Sequence, residues 1–214
     1  MSKLMLSSSG LRGIVGDHLT ADQIDHFVRS FLAWLPEGPI VIGGDTRTSY
    51  TAMSNLVASI CQLCGRNVIL IGQVPTPTVQ QMVRFHMAAG GIAVTASHNP
   101  EQWNGLKIIN ASGSFLSSEA FSSFFNIYQH KELADYVDWS KQGQIVQQTT
   151  ALENHVSVIA AVLDMAALEK STLKVLIDVN HGAGAVADPV LFKSLGVHVD
   201  YLYGTPDGKF SHAP

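Results

Sequence analysis

No apolar run in the 214 residues approaches the roughly 18–20 needed to span a bilayer, and the start, Met1-Ser2-Lys3-Leu4, is no secretory signal. No membrane partner is expected, and the setting expected is cytoplasmic. Charge is scarce too: Asp, Glu, Lys and Arg supply 14% of the chain, 13 basic against 17 acidic, for a formal net charge of −4. A nucleic-acid surface needs clustered Lys and Arg, so no nucleic-acid partner is expected. A small anionic substrate stays open, because a few well-placed basic groups suffice locally. Cysteine is limited to Cys61 and Cys64, a CxxC inside an apolar periodic stretch that reads as helix. A redox CxxC sits at a helix start after a strand, so two inert, mostly buried thiols in a reducing cytosol are the better reading. Asn180-His181-Gly182-Ala183-Gly184-Ala185 could cradle an anion at a helix start. It lacks GxGxxG spacing and the GK[ST] of a P-loop, which argues against a nucleotide site, and His181 reads equally well as structural.

What is present is globular. Hydrophobic residues make up 46%, enough for one large α/β domain or two smaller ones. A helix is expected over 21–35, capped by Thr20 and ended by Pro36 and Gly38. From residue 39 short β-rich runs alternate with helical periods. Strands are expected over 39–44, 67–72 and 91–96, with helices over 51–64 and 77–88, Gly65 ending the first. This rhythm predicts a three-layer α/β/α domain with a mostly parallel mixed sheet. Residues 106–110 and 114–116 flank Ala111-Ser112-Gly113 and suggest a tight antiparallel reversal. A helix over 118–128 follows, and the polar, Gln-rich stretch 131–150 reads as an inter-domain connection. The pattern then restarts: helix 152–168, strand 174–179, a Gly-rich turn at 180–185, a helix to about 195 and strand 197–202. That is a second α/β unit of the same kind without a full sheet around it, and the sequence through Pro206-Asp207-Gly208 to Pro214 looks cut rather than finished.

Ser97 lies in Thr95-Ala96-Ser97-His98-Asn99-Pro100, just past the end of an expected strand, where open α/β sheets place ligands. Adjacent side chains in extended backbone point to opposite faces, so His98 is badly placed to deprotonate Ser97, and no GxSxG elbow supports a serine hydrolase. Gly10-Leu11-Arg12-Gly13 would let backbone N–H groups and a guanidinium approach a phosphate. Arg47, in Gly43-Gly44-Asp45-Thr46-Arg47, binds phosphate on one reading and pairs with Asp45 or another carboxylate on the other. Lys107, in Asn104-Gly105-Leu106-Lys107, reads in isolation as a solvated strand-end lysine; if the loop folds back, it would approach the same phosphate or shuttle a proton to a sugar hydroxyl. Gln73-Val74-Pro75-Thr76-Pro77 reads as a rigid strand-to-helix turn and nothing more.

Taken in order, Ser9-Gly10-Leu11-Arg12-Gly13, Gly44-Asp45-Thr46-Arg47, Pro75-Thr76-Pro77-Thr78, the Thr95–Pro100 and Asn104–Lys107 runs and Pro206-Asp207-Gly208 resemble the α-D-phosphohexomutases: phosphoglucomutases, phosphomannomutases and phosphoglucosamine mutases. The resemblance implies four domains, of which 1–145 would be the first, carrying the phosphoserine loop, and 146–214 an incomplete second; domains III and IV would be absent. The implied reaction interconverts hexose 1-phosphate and hexose 6-phosphate through a phosphoserine enzyme and a hexose 1,6-bisphosphate, which serves as intermediate and activator. Ser97 matches the phosphoserine, Arg12 and Lys107 match residues near its phosphate, and His98 matches an active-site position. The phosphate on Ser97 would also be a ligand of Mg²⁺. The family's metal loop, Asp-Gly-Asp-x-Asp-Arg, and its sugar-binding and C-terminal phosphate loops are not among these residues. The expectation is therefore a truncated part, inactive alone, of an enzyme acting on a phosphorylated hexose; the alternative is a non-catalytic phosphosugar-binding or regulatory module. The 95–116 stretch looks somewhat like that of bacterial phosphoglucosamine mutases.

Overall fold

The structure, a computed structural model, describes residues 4–169 and 172–213; Met1-Ser2-Lys3 and Pro214 lie outside the described residues. One sheet contains β1 (Met5–Ser7), β2 (Gly10–Ile14), β3 (Ile40–Gly44), β4 (Val68–Gln73), β5 (Gly90–Val94), β6 (Trp103–Asn110) and β7 (Ile145–Gln147), in the order β1-β2-β6-β5-β3-β4-β7. β3 runs parallel to β4 and β5, and β4 parallel to β7. β6 is antiparallel to β5 and β2, and β1 to β2, so five of the seven strands share one direction. The helices are α1 (Ala21–Trp34), α2 (Tyr50–Leu63), α3 (Thr76–Phe85), α4 (Ser118–His130), α5 (Ala151–Ala160), α6 (Met165–Glu169) and α7 (Gly184–Ser194). No helix among the described residues is long and apolar enough to cross a membrane.

Alternation along the strands sorts the core into two layers. Ile40 and Ile42 of β3 pack with Phe27 and Phe31 of α1, Met53 and Val57 of α2 and Phe124 of α4. Val41, between them, turns to the opposite face and meets Val79, Met82 and Val83 of α3 with Ala151 of α5. Together the layers make the expected α/β/α arrangement. Thr20 caps α1 as expected, its hydroxyl accepting from Gln23 N at 3.4 Å. Both cysteines fall at the end of α2, where burial raises both thiols above their ordinary value and disfavours the thiolate.

Several details differ from the sequence reading. Gly10-Leu11-Arg12-Gly13, to which the sequence reading assigned no strand, forms one and inserts between β1 and β6. The reversal at 111–113 forms, but its return makes a single bridge, Ile109 to Phe115; β6 pairs instead with β5 from Leu106 to Asn110. The helix expected over 152–168 breaks after Ala160, because the Asp164 carboxylate accepts from Ala167 N and starts α6 afresh. β7 arises within the expected connection and straddles 145/146, extending the first sheet to Gln147. Beyond it, β8 (Val175–Asp178) and β9 (Val199–Leu202) pair in parallel through α7.

The β2–β6 contact depends on a glycine. Gly10 has φ +110, and a Cβ there would lie 1.9 Å from the Leu106 carbonyl oxygen. Gly72 also has a positive φ, +78, but nothing within 4 Å of an added Cβ. Gly10→Ala is therefore expected to cost about 3 kcal/mol or more of stability and Gly72→Ala about 1 kcal/mol, read by urea denaturation.

Candidate active site

Because β3 and β5 are parallel neighbours, Asp45 and Arg47 leave the same edge of the sheet as Thr95 and Ser97. Asp45 N donates to Val94 O at 3.1 Å and locks the two strand ends together. The Arg47 side chain is 0% exposed. Its Nε donates to Asp45 Oδ2 at 3.1 Å, Nη1 to the Pro100 and Trp103 carbonyls at 2.7 and 2.8 Å, and Nη2 to those of Ser97 and Asn99 at 2.9 and 2.7 Å. A guanidinium has five N–H bonds, and all five are used here. This corrects the expectation that Arg47 binds phosphate: the pairing alternative holds, and no donor remains for a ligand.

Asp45 in turn accepts from the Thr95 hydroxyl, whose oxygen accepts from Ser97 N at 3.0 Å. Burial pushes the Asp45 carboxyl above its ordinary range, against Thr95 and Arg47, which hold it down. Ser97 thus sits fixed at φ +59, a left-handed conformation that costs a side-chain-bearing residue of the order of 1 kcal/mol. Its main chain is gripped from both sides while the residue itself is exposed.

Ser97 opens on two cavities. One, of about 570 Å³, is lined by His98, Glu101, Asn180 and Phe210. The other, of about 260 Å³, is lined by Asp45, Pro75, Thr76, Thr95, Lys107 and Phe210. The structure therefore brings Ser97 and Lys107 to one cavity and puts His98 on the other side. Among the described residues no hydrogen bond joins His98 to Ser97. Arg12, on β2 opposite Gly105, donates from Nη2 to Ser9 Oγ at 3.1 Å. Lys107 is half-buried, and burial first and the Arg12 charge second lower its ammonium below the ordinary value of 10.5. Arg12 and Lys107 thus bring two positive charges near one another on neighbouring strands. His181, by contrast, is structural: its ring meets the Thr205 carbonyl and Ser211 Oγ at 2.8 and 3.0 Å.

Thr95, Pro75 and Thr76 belong to this site although the sequence reading gave them only local roles. The signal for them was their place at the ends of β5 and β4, at one sheet edge with Ser97. A Mg²⁺ does not fit what this chain offers alone. It demands near-octahedral oxygen ligands, whereas the Asp45 carboxylate is taken by Thr95 and Arg47 and the Ser97 hydroxyl is a single oxygen. Among the described residues no group of three His, Cys, Asp or Glu could hold a metal ion.

Two outcomes follow for these residues. Arg47→Lys can satisfy at most three of five acceptors and leaves a buried charge poorly paired, so it is expected to lower stability by about 2–4 kcal/mol in denaturant titration and to expose the 97–100 loop to proteolysis. For Lys107 the folded pKa is depressed, so the unfolded chain binds more protons between that value and 10.5 and stability rises with pH there. Arg12→Ala is expected to move the Lys107 midpoint upward and flatten that rise, read by NMR titration of its side-chain nitrogen.

The match to known proteins covers most of this region. Residues 3–135 match the family model for phosphoglucomutase/phosphomannomutase, alpha/beta/alpha domain I. A probable phosphoglucosamine mutase of Methanobrevibacter smithii is 32% identical over 209 residues, covering 97% of this chain and 46% of that protein. A phosphoglucosamine mutase of Synechococcus elongatus is 31% identical, covering 95% of this chain and 44% of that protein. The crystal structure of a putative phosphomannomutase from Thermus thermophilus superposes with a TM-score of 0.82 at 26% identity, covering 97% of this chain and 47% of that one. The chain thus spans under half the length of the curated relatives it matches. With its serine loop, its sheet order and these matches in agreement, the chain belongs to the phosphoglucomutase/phosphomannomutase family.

Proposed function

We propose that this chain supplies the phosphoserine half of a phosphosugar mutase active site, with Ser97 carrying the phosphoryl group between O1 and O6 of a hexose phosphate. The observation that carries the reading is Ser97 itself: exposed, held left-handed by Arg47 and Thr95, and opening on a cavity with Lys107. In the forward half-reaction a sugar hydroxyl oxygen attacks the phosphorus on Ser97 Oγ, the Oγ–P bond breaks, and the sugar hydroxyl's proton ends on the freed Ser97 Oγ. Lys107, with its depressed pKa, takes or returns that proton, and Arg12 balances phosphate charge. The released hexose 1,6-bisphosphate turns over in the site and returns its other phosphoryl group to Ser97 Oγ. His98, across Ser97 from Lys107, faces the larger cavity and would meet the sugar there. A Mg²⁺ on the phosphoserine would take its remaining ligands from outside this chain.

The names of the archaeal and cyanobacterial relatives favour glucosamine phosphate as the hexose. The pairing of β7 with β4 supports a first domain that runs through Gln147, and the β8–α7–β9 unit supports an incomplete second domain of related kind. Two unpaired thiols accord with a cytoplasmic enzyme.

The test is turnover by the gene product that contains this chain, assayed with glucosamine 1- and 6-phosphate and with the glucose pair. Ser97→Ala is expected to lower turnover by about a thousandfold or more while hexose-phosphate binding persists. Equal turnover in the variant overturns the proposal. Wild-type binding without turnover points instead to a non-catalytic phosphosugar-binding module.

A further inference from the structure

Phe210 lies far along the chain from the serine loop, yet its ring centroid is 4.8 Å from Arg47 Cζ and it lines both cavities beside Ser97. The five N–H bonds of Arg47 lie in the guanidinium plane and are all engaged, so only its two faces are left to be covered. A face of a buried cation accepts no further hydrogen bond, and an aromatic ring, with its negative face, is the side chain that covers it best.

The segment that brings Phe210 there is itself fastened to the loop carrying Arg47. The Thr46 hydroxyl donates to His181 O at 2.7 Å, and Gly208 N donates to the same oxygen at 3.2 Å. Asn180 Oδ1 accepts from Ser211 N at 2.9 Å, and Asn180 Nδ2 donates to His212 O at 2.8 Å. Gly208, at φ +70, passes so close that an added Cβ would lie 2.4 Å from Thr46 O.

We infer that Phe210 is a positioning residue for Ser97: its ring covers the Arg47 guanidinium, keeps water from the bonds that hold the serine loop, and makes the shape of that loop depend on the docking of segment 205–213. The inference rests on the proposed function only where it takes Ser97 as the phosphoryl carrier. The coupling itself needs no substrate.

The test compares the wild-type gene product that contains this chain with Phe210→Ala, Phe210→Leu and Phe210→Tyr, reading solvent exchange of the Arg47 Nε–H by NMR with the Ile92 amide as a core control. Phe210→Ala is expected to speed exchange at Arg47 by about tenfold or more, Phe210→Leu by about fivefold, and Phe210→Tyr by less than about twofold, with Ile92 protected throughout. Gly208→Ala, which lifts the segment without touching the ring, is expected to match Phe210→Ala. If Phe210→Ala fails to fold, Phe210→Leu decides, since it keeps apolar volume and removes only the ring. Exchange in Phe210→Leu within about twofold of wild type, with Ile92 protected, overturns the inference. Faster exchange in a protein whose turnover survives Ser97→Ala upholds the coupling and sinks only the phosphoryl-carrier reading.

Discussion

A guanidinium taken out of water is tolerable only if every one of its donors finds an acceptor, and at Arg47 that requirement shapes the active edge of the sheet. Four of the five acceptors are main-chain carbonyls of the stretch from Ser97 to Trp103. The loop cannot relax without stranding a buried charge, so it keeps a conformation that Ser97 alone would not choose. Asp45 supplies the countercharge and, through Thr95, reaches the Ser97 amide from the other side. One ion pair therefore serves as the foundation for the loop that carries Ser97.

The sheet makes this pair possible by direction and by closeness. Parallel β3 and β5 deliver Asp45, Arg47, Thr95 and Ser97 to one edge, and antiparallel β6 returns from the serine loop with Lys107. β2 then packs tightly enough on β6, through Gly10, to set Arg12 against Gly105, two residues from Lys107. The depressed lysine is a consequence of that strand packing as much as of burial.

The α/β alternation from β3 to β5 was legible because each element carries its own period and its own stop signal. Ser97 and Lys107 stood out as a combination of short runs, and the fold sets both on one cavity. β2 was not, since a Gly-rich, Ser-flanked run reads as a turn when its partner strand is unseen. β7 escaped for a related reason: its three residues are exposed and show no buried alternation. The pairing of Arg47 with Asp45 was one of the two readings its place allowed, but its grip on the serine loop could not be read, because those four acceptors are carbonyls that every residue possesses. Phe210 was hidden by chain distance, with only the Pro206-Asp207-Gly208 run hinting that its neighbourhood mattered.

Arg47 grips the serine loop through main-chain oxygens, and among the described residues only Thr95 and Asn99 add side-chain bonds that hold its shape. His98 and Glu101, exposed and facing the larger cavity, take no part in that grip. Change at those two positions would leave the backbone posture of Ser97 standing.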